Sequence, residues 1–188
     1  MTIVSHAGIR TEVGTASTAS QSATEQTQYL TFMLGKEMFA IGILAIKEIL
    51  EYQDLTVVPM MPMSIRGVMN LRGAVVPVMD LSARFGRKPV EITKRTCIVI
   101  VEVEADGERQ DIGVVVDAVN QVVDILGSDI ESAPAFGAKI RTDFIHGLGK
   151  VAGKFVILLD VNNVLSIDDV GALGELGKDL PTPVAADG

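Results

Sequence analysis

The sequence predicts a mainly β protein built from two copies of one small barrel unit, with short helices. Three observations lead there. Short β-branched runs alternate with turn residues along most of the chain. Two stretches of the sequence repeat in constant register. The chain has 188 residues and is 48% hydrophobic, with only 4% aromatic, so it can bury a core made mostly of aliphatic side chains.

Residues 1–27 are expected to form a flexible tail. From Thr11 to Gln28 the chain is mostly Ser, Thr, Ala and Gln, with Val13 as the one large apolar residue. Such a segment gains too little from burial to offset its ordering entropy. Tyr29 to Leu34 and Met38 to Ile43 then read as strand, turn, strand around Gly35-Lys36-Glu37. The segment Val57 to Met63 carries Pro59 and Pro62, which limit strand pairing, and reads as a surface loop. Its methionines Met60, Met61 and Met63 suit either an adaptable binding surface or a plug for the end of a barrel. Gly73 to Met79 is a strand, after which Asp80 is placed to cap a short helix over Leu81 to Phe85, stopped by Gly86. Thr96 to Glu104 and Asp111 to Val116 are strands joined through Asp106-Gly107, a strong hairpin signal. Lys154 to Leu159 is a further strand, and Asp160 repeats the cap before a helix over about Val161 to Leu165. The Gly-, Pro-, Ala- and Asp-rich end, 168–188, is expected to be a second tail.

The repeat organises these elements. At an offset of 80, Ile65, Gly67, Gly73, Val76 and Asp80 meet Ile145, Gly147, Gly153, Val156 and Asp160. At an offset of 73, Phe39, Ile41, Ile43, Ile46 and Ile49 meet Ile112, Val114, Val116, Val119 and Val122. Two units follow, of about 28–90 and 95–167. A unit this small avoids open edges best by closing into a barrel. The repeat also separates fold from function. The matched Gly67, Gly73, Asp80, Gly147, Gly153 and Asp160 serve the shared fold. Arg72 faces Ala152, Asn70 faces Lys150, Glu48 faces Gln121 and Lys47 faces Asn120, so the fold does not require the first member of each pair. Arg72 reads either as an anchor for a protein partner or as a solvated turn residue.

Composition excludes several classes. The net charge of −8 offers no cationic surface for nucleic acid or anionic membrane. Cys97 is the single cysteine, so no internal disulfide can form and a reducing compartment is expected. No stretch approaches a membrane span and the first residues lack an apolar h-region, which points to a soluble cytoplasmic protein. His6 and His146 are the only histidines, and no His/Cys set has metal spacing. Cys97, inside a Val/Ile run, reads as a small hydrophobe. Gly147 to Lys154 resembles a phosphate loop only superficially: its glycine spacing is wrong and Phe155 follows the lysine. Asp80 and Asp160 are better explained as caps than as catalytic carboxylates. No catalytic or metal residues and no cofactor are expected.

Ile46-Lys47-Glu48-Ile49, Val58-Pro59-Met60-Met61-Pro62, and Ile65-Arg66-Gly67-Val68-Met69-Asn70-Leu71-Arg72-Gly73 stand in order along the chain. So do Val76 to Leu81 with Arg84-Phe85-Gly86, Gly113 to Val119, Phe144 to Gly147, and Leu158 to Asp160. From about Gln28 to Ile167 this pattern resembles the CheW family of chemotaxis coupling proteins. The resemblance implies a domain over 28–167 made of two SH3-like five-stranded β-barrels. It implies a non-catalytic, free-standing adaptor that links the cytoplasmic tip of methyl-accepting chemoreceptors to the regulatory domain of the histidine kinase CheA. It also implies recruitment to membrane-anchored receptor arrays without insertion into the membrane, and it admits other copies of the family as partners. By resemblance, Ile46, Glu48, Ile49, Gly67, Asn70 and Arg72 fall at the receptor-binding region. The rival reading is a small-molecule-binding or enzymatic barrel; a nucleic-acid-binding barrel conflicts with the charge and the scarcity of stacking aromatics.

Overall fold

Runs of β-branched residues punctuated by Gly-containing turns give eleven strands and two single-turn α-helices among the described residues, 24–133 and 142–166, of the computed structural model. The strands are β1 (Gln26–Leu34), β2 (Glu37–Gly42), β3 (Ile46–Glu51), β4 (Ile65–Leu71), β5 (Ala74–Asp80), β6 (Cys97–Ala105), β7 (Glu108–Val116), β8 (Ala118–Leu126), β9 (Ile130–Glu131), β10 (Ile145–Val151) and β11 (Lys154–Leu159). Helix α1 (Leu81–Arg84) follows β5 and α2 (Val161–Val164) follows β11. Most of both predicted tails lies outside the described residues. Gln26 and Thr27, assigned to the first tail by composition, belong to β1 and pair with Leu126 and Ile125.

Three hairpins use the same turn. Arg72 and Gly73 have φ of 52° and 86°, Asp106 and Gly107 have 51° and 77°, and Ala152 and Gly153 have 48° and 76°. Two successive left-handed residues match the right-handed twist of the flanking strands, and the glycine removes the strain at one of them.

The strands form two sheets. One has the order β8-β1-β2-β11-β10-β9 and the other β3-β6-β7-β5-β4. The sixth strand of the larger sheet is the two-residue β9, paired with Leu148 and Gly149. Its counterpart in the smaller sheet is a single bridge between Thr56 and Val68. The sheets do not follow the sequence units. Hairpin β1–β2 lies in the sheet of β8 to β11, and hairpin β6–β7 lies in the sheet of β3 to β5. Each junction is a parallel pairing. Ile157 and Leu158 of β11 face Phe39 and Ala40 of β2. Val78, Met79 and Asp80 of β5 face Gly113, Val114 and Val115 of β7. Offsets of 80 and 73 carry Val78 and Ala40 onto Leu158 and Gly113, so the two junctions are the same contact made twice in opposite directions. The chain changes sheet through the 3-10 turn Ile43–Ala45 and again at Asp117.

One buried cluster draws on both sheets, from Leu30, Phe32 and Phe39 to Ile98, Ile100 and Val114. An aromatic row crosses the seam: Phe32 to Phe39 at 6.2 Å between ring centroids, Phe39 to Phe85 at 5.5 Å, and Phe85 to Phe144 at 6.3 Å. Arg84 lies over Phe144 and donates from Nε to the Val164 carbonyl at 3.0 Å, tying the end of α1 to the end of α2.

Both predicted caps form. Asp80 Oδ1 accepts from the Ala83 amide at 3.1 Å and Asp160 Oδ1 from the Asn163 amide at 3.2 Å. Their surroundings differ. The Asp80 side chain is fully buried, and its Oδ2 accepts from Arg66 Nε at 2.9 Å and the Val90 amide at 2.8 Å. Arg66 also donates to the Val90 carbonyl. Asp160 is only half-buried, and His146 stands at the position of Arg66. Removing one member of a buried ion pair leaves its partner uncompensated, whereas losing a half-buried cap without a charged partner costs only the cap. Asp80→Ala is therefore expected to cost about 3–5 kcal/mol, against about 0.5–2 kcal/mol for Asp160→Ala. Denaturant midpoints read the difference; equal losses would contradict it.

Candidate functional site

Strand β3 is an edge of the five-stranded sheet, so only one of its sides is paired. Its burial alternates: Ile46, Glu48 and Leu50 are half-buried, while Lys47, Ile49 and Glu51 are exposed. Ile46 and Leu50 pack against the core, and Ile49, 44% exposed, faces away from it. The other edge is β4, whose hairpin turn carries Arg72. Arg72 Nη2 lies 2.9 Å from Glu48 Oε2 and 3.0 Å from Oε1, so an ion pair links the β4–β5 turn to β3. The Arg72 side chain remains 75% exposed and that of Glu48 28% exposed. Asn70 shapes the turn: its Oδ1 accepts from the Gly73 amide at 3.0 Å.

Glu48, Asn70 and Arg72 are thus gathered in one place, with Ile49 on the other face of β3. Gly67 is apart from them and buried at a bulge in β4. A Cβ there would stand 2.4 Å from the Thr56 carbonyl oxygen, and φ is 153°, so the position requires glycine to let the preceding loop approach β4. Gly147 is confined in the same way: a Cβ would meet Ile130 Cγ2 at 2.7 Å and the Glu131 carbonyl at 2.9 Å. Gly73 and Gly153 have left-handed φ in open space, so their role is in the turns.

Two features near the site escape a reading of the sequence. Val75, 68% exposed, pairs with Asn70 and places an apolar side chain beside the charged turn. Lys47 Nζ sits 2.8 Å from both Glu102 Oε2 and Asp111 Oδ1, at a register position where those two carboxylates face each other across β6–β7. Hydrogen bonds to Asp111 and then Glu102 push the Lys47 ammonium pKa up, and the bond from Lys47 holds the Glu102 carboxyl below its usual range. The Asp-Gly turn fixes that register, so the carboxylate pair was open to inference from the sequence; the approach of Lys47 depends on tertiary structure.

In the loop before β4, Met60 and Met63 are exposed, and only Met61 packs against the core. The phosphate-loop lookalike is the end of β10, its turn and the start of β11. Cys97 is a half-buried free thiol that contacts the Arg95 carbonyl. Among the described residues no group of three or more His, Cys, Asp or Glu side chains could hold a metal ion.

The chain matches the family model described as "CheW-like domain" over residues 28–169. It is 32% identical over 151 residues to a chemotaxis protein CheW of Klebsiella aerogenes, covering 80% of this chain and 89% of the relative. A chemotaxis protein CheW of Bacillus subtilis is 36% identical over 137 residues, covering 72% and 85%. The crystal structure of the scaffolding protein TtCheW from Thermoanaerobacter tengcongensis aligns with a TM-score of 0.69 at 31% identity, over 77% of this chain and 91% of that one.

The Arg72–Glu48 pair is largely exposed, and such pairs add little to stability. Ala152 takes up the equivalent turn with φ of 48°, so alanine is compatible with this backbone. Arg72→Ala should leave the denaturant midpoint within about 0.5 kcal/mol of the parent; a loss of several kcal/mol would show that the pair holds the sheet edges together.

Proposed function

This chain belongs to the CheW-like domain family, and on that premise we propose that it is a non-catalytic adaptor of chemotaxis signalling, coupling methyl-accepting chemoreceptors to the histidine kinase CheA. Its relatives are named chemotaxis proteins and its structural neighbour a scaffolding protein. The observation that carries the reading is an asymmetry. The two sheets share one strand order, yet only in one, among the described residues, does an ion pair join the hairpin-turn residue Arg72 to the edge strand at Glu48; the other has Ala152 and Gln121 at those positions. The second unit folds without those charges, and in the first exposed Val75 pairs with Asn70 near the Arg72 turn while exposed Ile49 lies on the other face of β3. An exposed arginine held in place by a carboxylate suits a protein interface, where its guanidinium can bond a partner's polar groups.

In this reading the receptor tip docks on β3 and the β4–β5 turn, with Ile46, Glu48, Ile49, Asn70 and Arg72 contributing and Gly67 setting the backbone beneath. The regulatory domain of CheA, and further copies of the family in arrays, use other faces. Among the described residues no helix is long and apolar enough to cross a membrane, and in this reading the protein works in the cytoplasm, brought to the membrane by the receptor.

Reconstitution of receptor, kinase and this chain tests the proposal. Kinase activity and its response to receptor ligand should depend on the chain. Arg72→Ala and Glu48→Lys should each weaken receptor binding by more than about 1 kcal/mol. Identical kinase behaviour with and without the chain would contradict the adaptor role, and parental affinity in both variants would contradict the site.

A further inference from the structure

Strand β3 carries a bulge, and β8 carries the same one. Ile46 pairs with Val101 and Ile49 with Val99, so Lys47 and Glu48 together stand opposite Ile100, and Glu48 is the one that pairs with it. Val119 pairs with Phe32 and Val122 with Leu30, so Asn120 and Gln121 together stand opposite Thr31. The offset of 73 carries Lys47 and Glu48 onto Asn120 and Gln121. A bulge interrupts the ladder, leaves one residue unpaired and re-aims the side chains beside it.

The two bulges are held by different means. In β8 the clamp is internal. The buried Thr31 hydroxyl donates to the Gln121 carbonyl at 2.8 Å and accepts from the Gln121 amide at 3.3 Å. In β3 the residue at that place is Ile100, fully buried and without a polar side-chain group. There the hold comes from outside. The unpaired bulge residue, Lys47, reaches Glu102, two residues beyond Ile100 on β6, and Asp111, which faces Glu102 across β6–β7. Two carboxylates directly opposed on neighbouring strands repel each other, so they favour the backbone geometry that brings an ammonium group between them. The other bulge residue, Glu48, reaches Arg72.

We propose that Lys47 is a positioning residue of the docking edge: its ion pairs with Glu102 and Asp111 hold the β3 bulge, and the bulge holds Glu48 where Arg72 meets it. The inference rests on the reading of Glu48 and Arg72 as part of the receptor-docking site. The second half needs no such lysine, because Thr31 clamps Gln121 directly. A difference in kind between the halves follows. A buried hydroxyl clamp is indifferent to salt, whereas a lysine side chain 47% exposed, held by two partly exposed carboxylates, is screened by it. Ionic strength therefore loosens the docking edge and leaves its counterpart in the second half firm.

Amide hydrogen exchange on the full-length protein tests the clamp without any partner. Raising salt to about 1 M, where screening acts over about 3 Å, should speed the slowly exchanging amides of β3 relative to those of β8. At low salt Lys47→Met should speed them by about tenfold, and Lys47→Arg should keep them near the parental rate. Parental exchange in Lys47→Met, or β3 and β8 amides that respond alike to salt, would overturn the proposal. Binding to a receptor cytoplasmic tip tests the positioning. Lys47→Met should weaken it at least about threefold, yet weaken it no further in the Arg72→Ala background. Parental affinity in Lys47→Met, or full additivity with Arg72→Ala, would overturn the positioning of Glu48. Parental affinity in Arg72→Ala itself would overturn the docking site, and the positioning role with it, while the exchange rates still decide the clamp.

Discussion

The structure depends on a reciprocal exchange of hairpins between its two halves. Neither half completes a sheet from its own strands. Hairpin β1–β2 is held by β11 and β8, and hairpin β6–β7 by β5 and β3. The parallel β2–β11 junction joins strands from the two ends of the described chain, and the Phe32–Phe39–Phe85–Phe144 row crosses the seam between the halves. A protein of short strands and single-turn helices has little local stability to draw on. Interlocking the halves makes one cooperative core from pieces that would be marginal separately.

That arrangement explains how a nearly symmetric frame carries an asymmetric surface. Gly67 and Gly147, the two capping aspartates and the left-handed turns at Arg72-Gly73 and Ala152-Gly153 recur because each half needs them for the same backbone path. The frame leaves the hairpin tips and sheet edges free to differ. In one half the tip carries Arg72 against Glu48; in the other it carries Ala152, with Lys150 instead paired to Glu131 and lying over Phe155.

Much of this was legible in the residues. The hairpins at Gly35-Lys36-Glu37 and Asp106-Gly107 and the aspartate caps announce themselves because turn and cap chemistry is local. Strands β3, β8 and the bulged β4 and β10 were harder to see: they are half-exposed or interrupted by a glycine, so they lack a clean alternation. The repeat revealed two equivalent units but not that they trade hairpins, since sequence offsets are the same whether a hairpin pairs within its unit or across. Burial was also hidden. Asp80 and Asp160 look alike in sequence, and only the approach of Val90 and Arg66 separates a buried ion pair from a half-exposed cap. At the candidate site, asymmetry between the copies singled out Glu48 and Arg72, yet nothing in their spacing of 24 residues indicated that they touch.

The hairpin exchange is tested most directly by dividing the chain between the halves, at residues 94 and 95, and studying the two fragments apart and together. The account predicts that neither fragment, as a monomer, unfolds cooperatively, because each contains a hairpin whose sheet lies in the other. Mixed in equal amounts they should associate and regain β circular dichroism with a single denaturant transition. A cooperative transition in either fragment alone, shown by sedimentation to be monomeric, would contradict it.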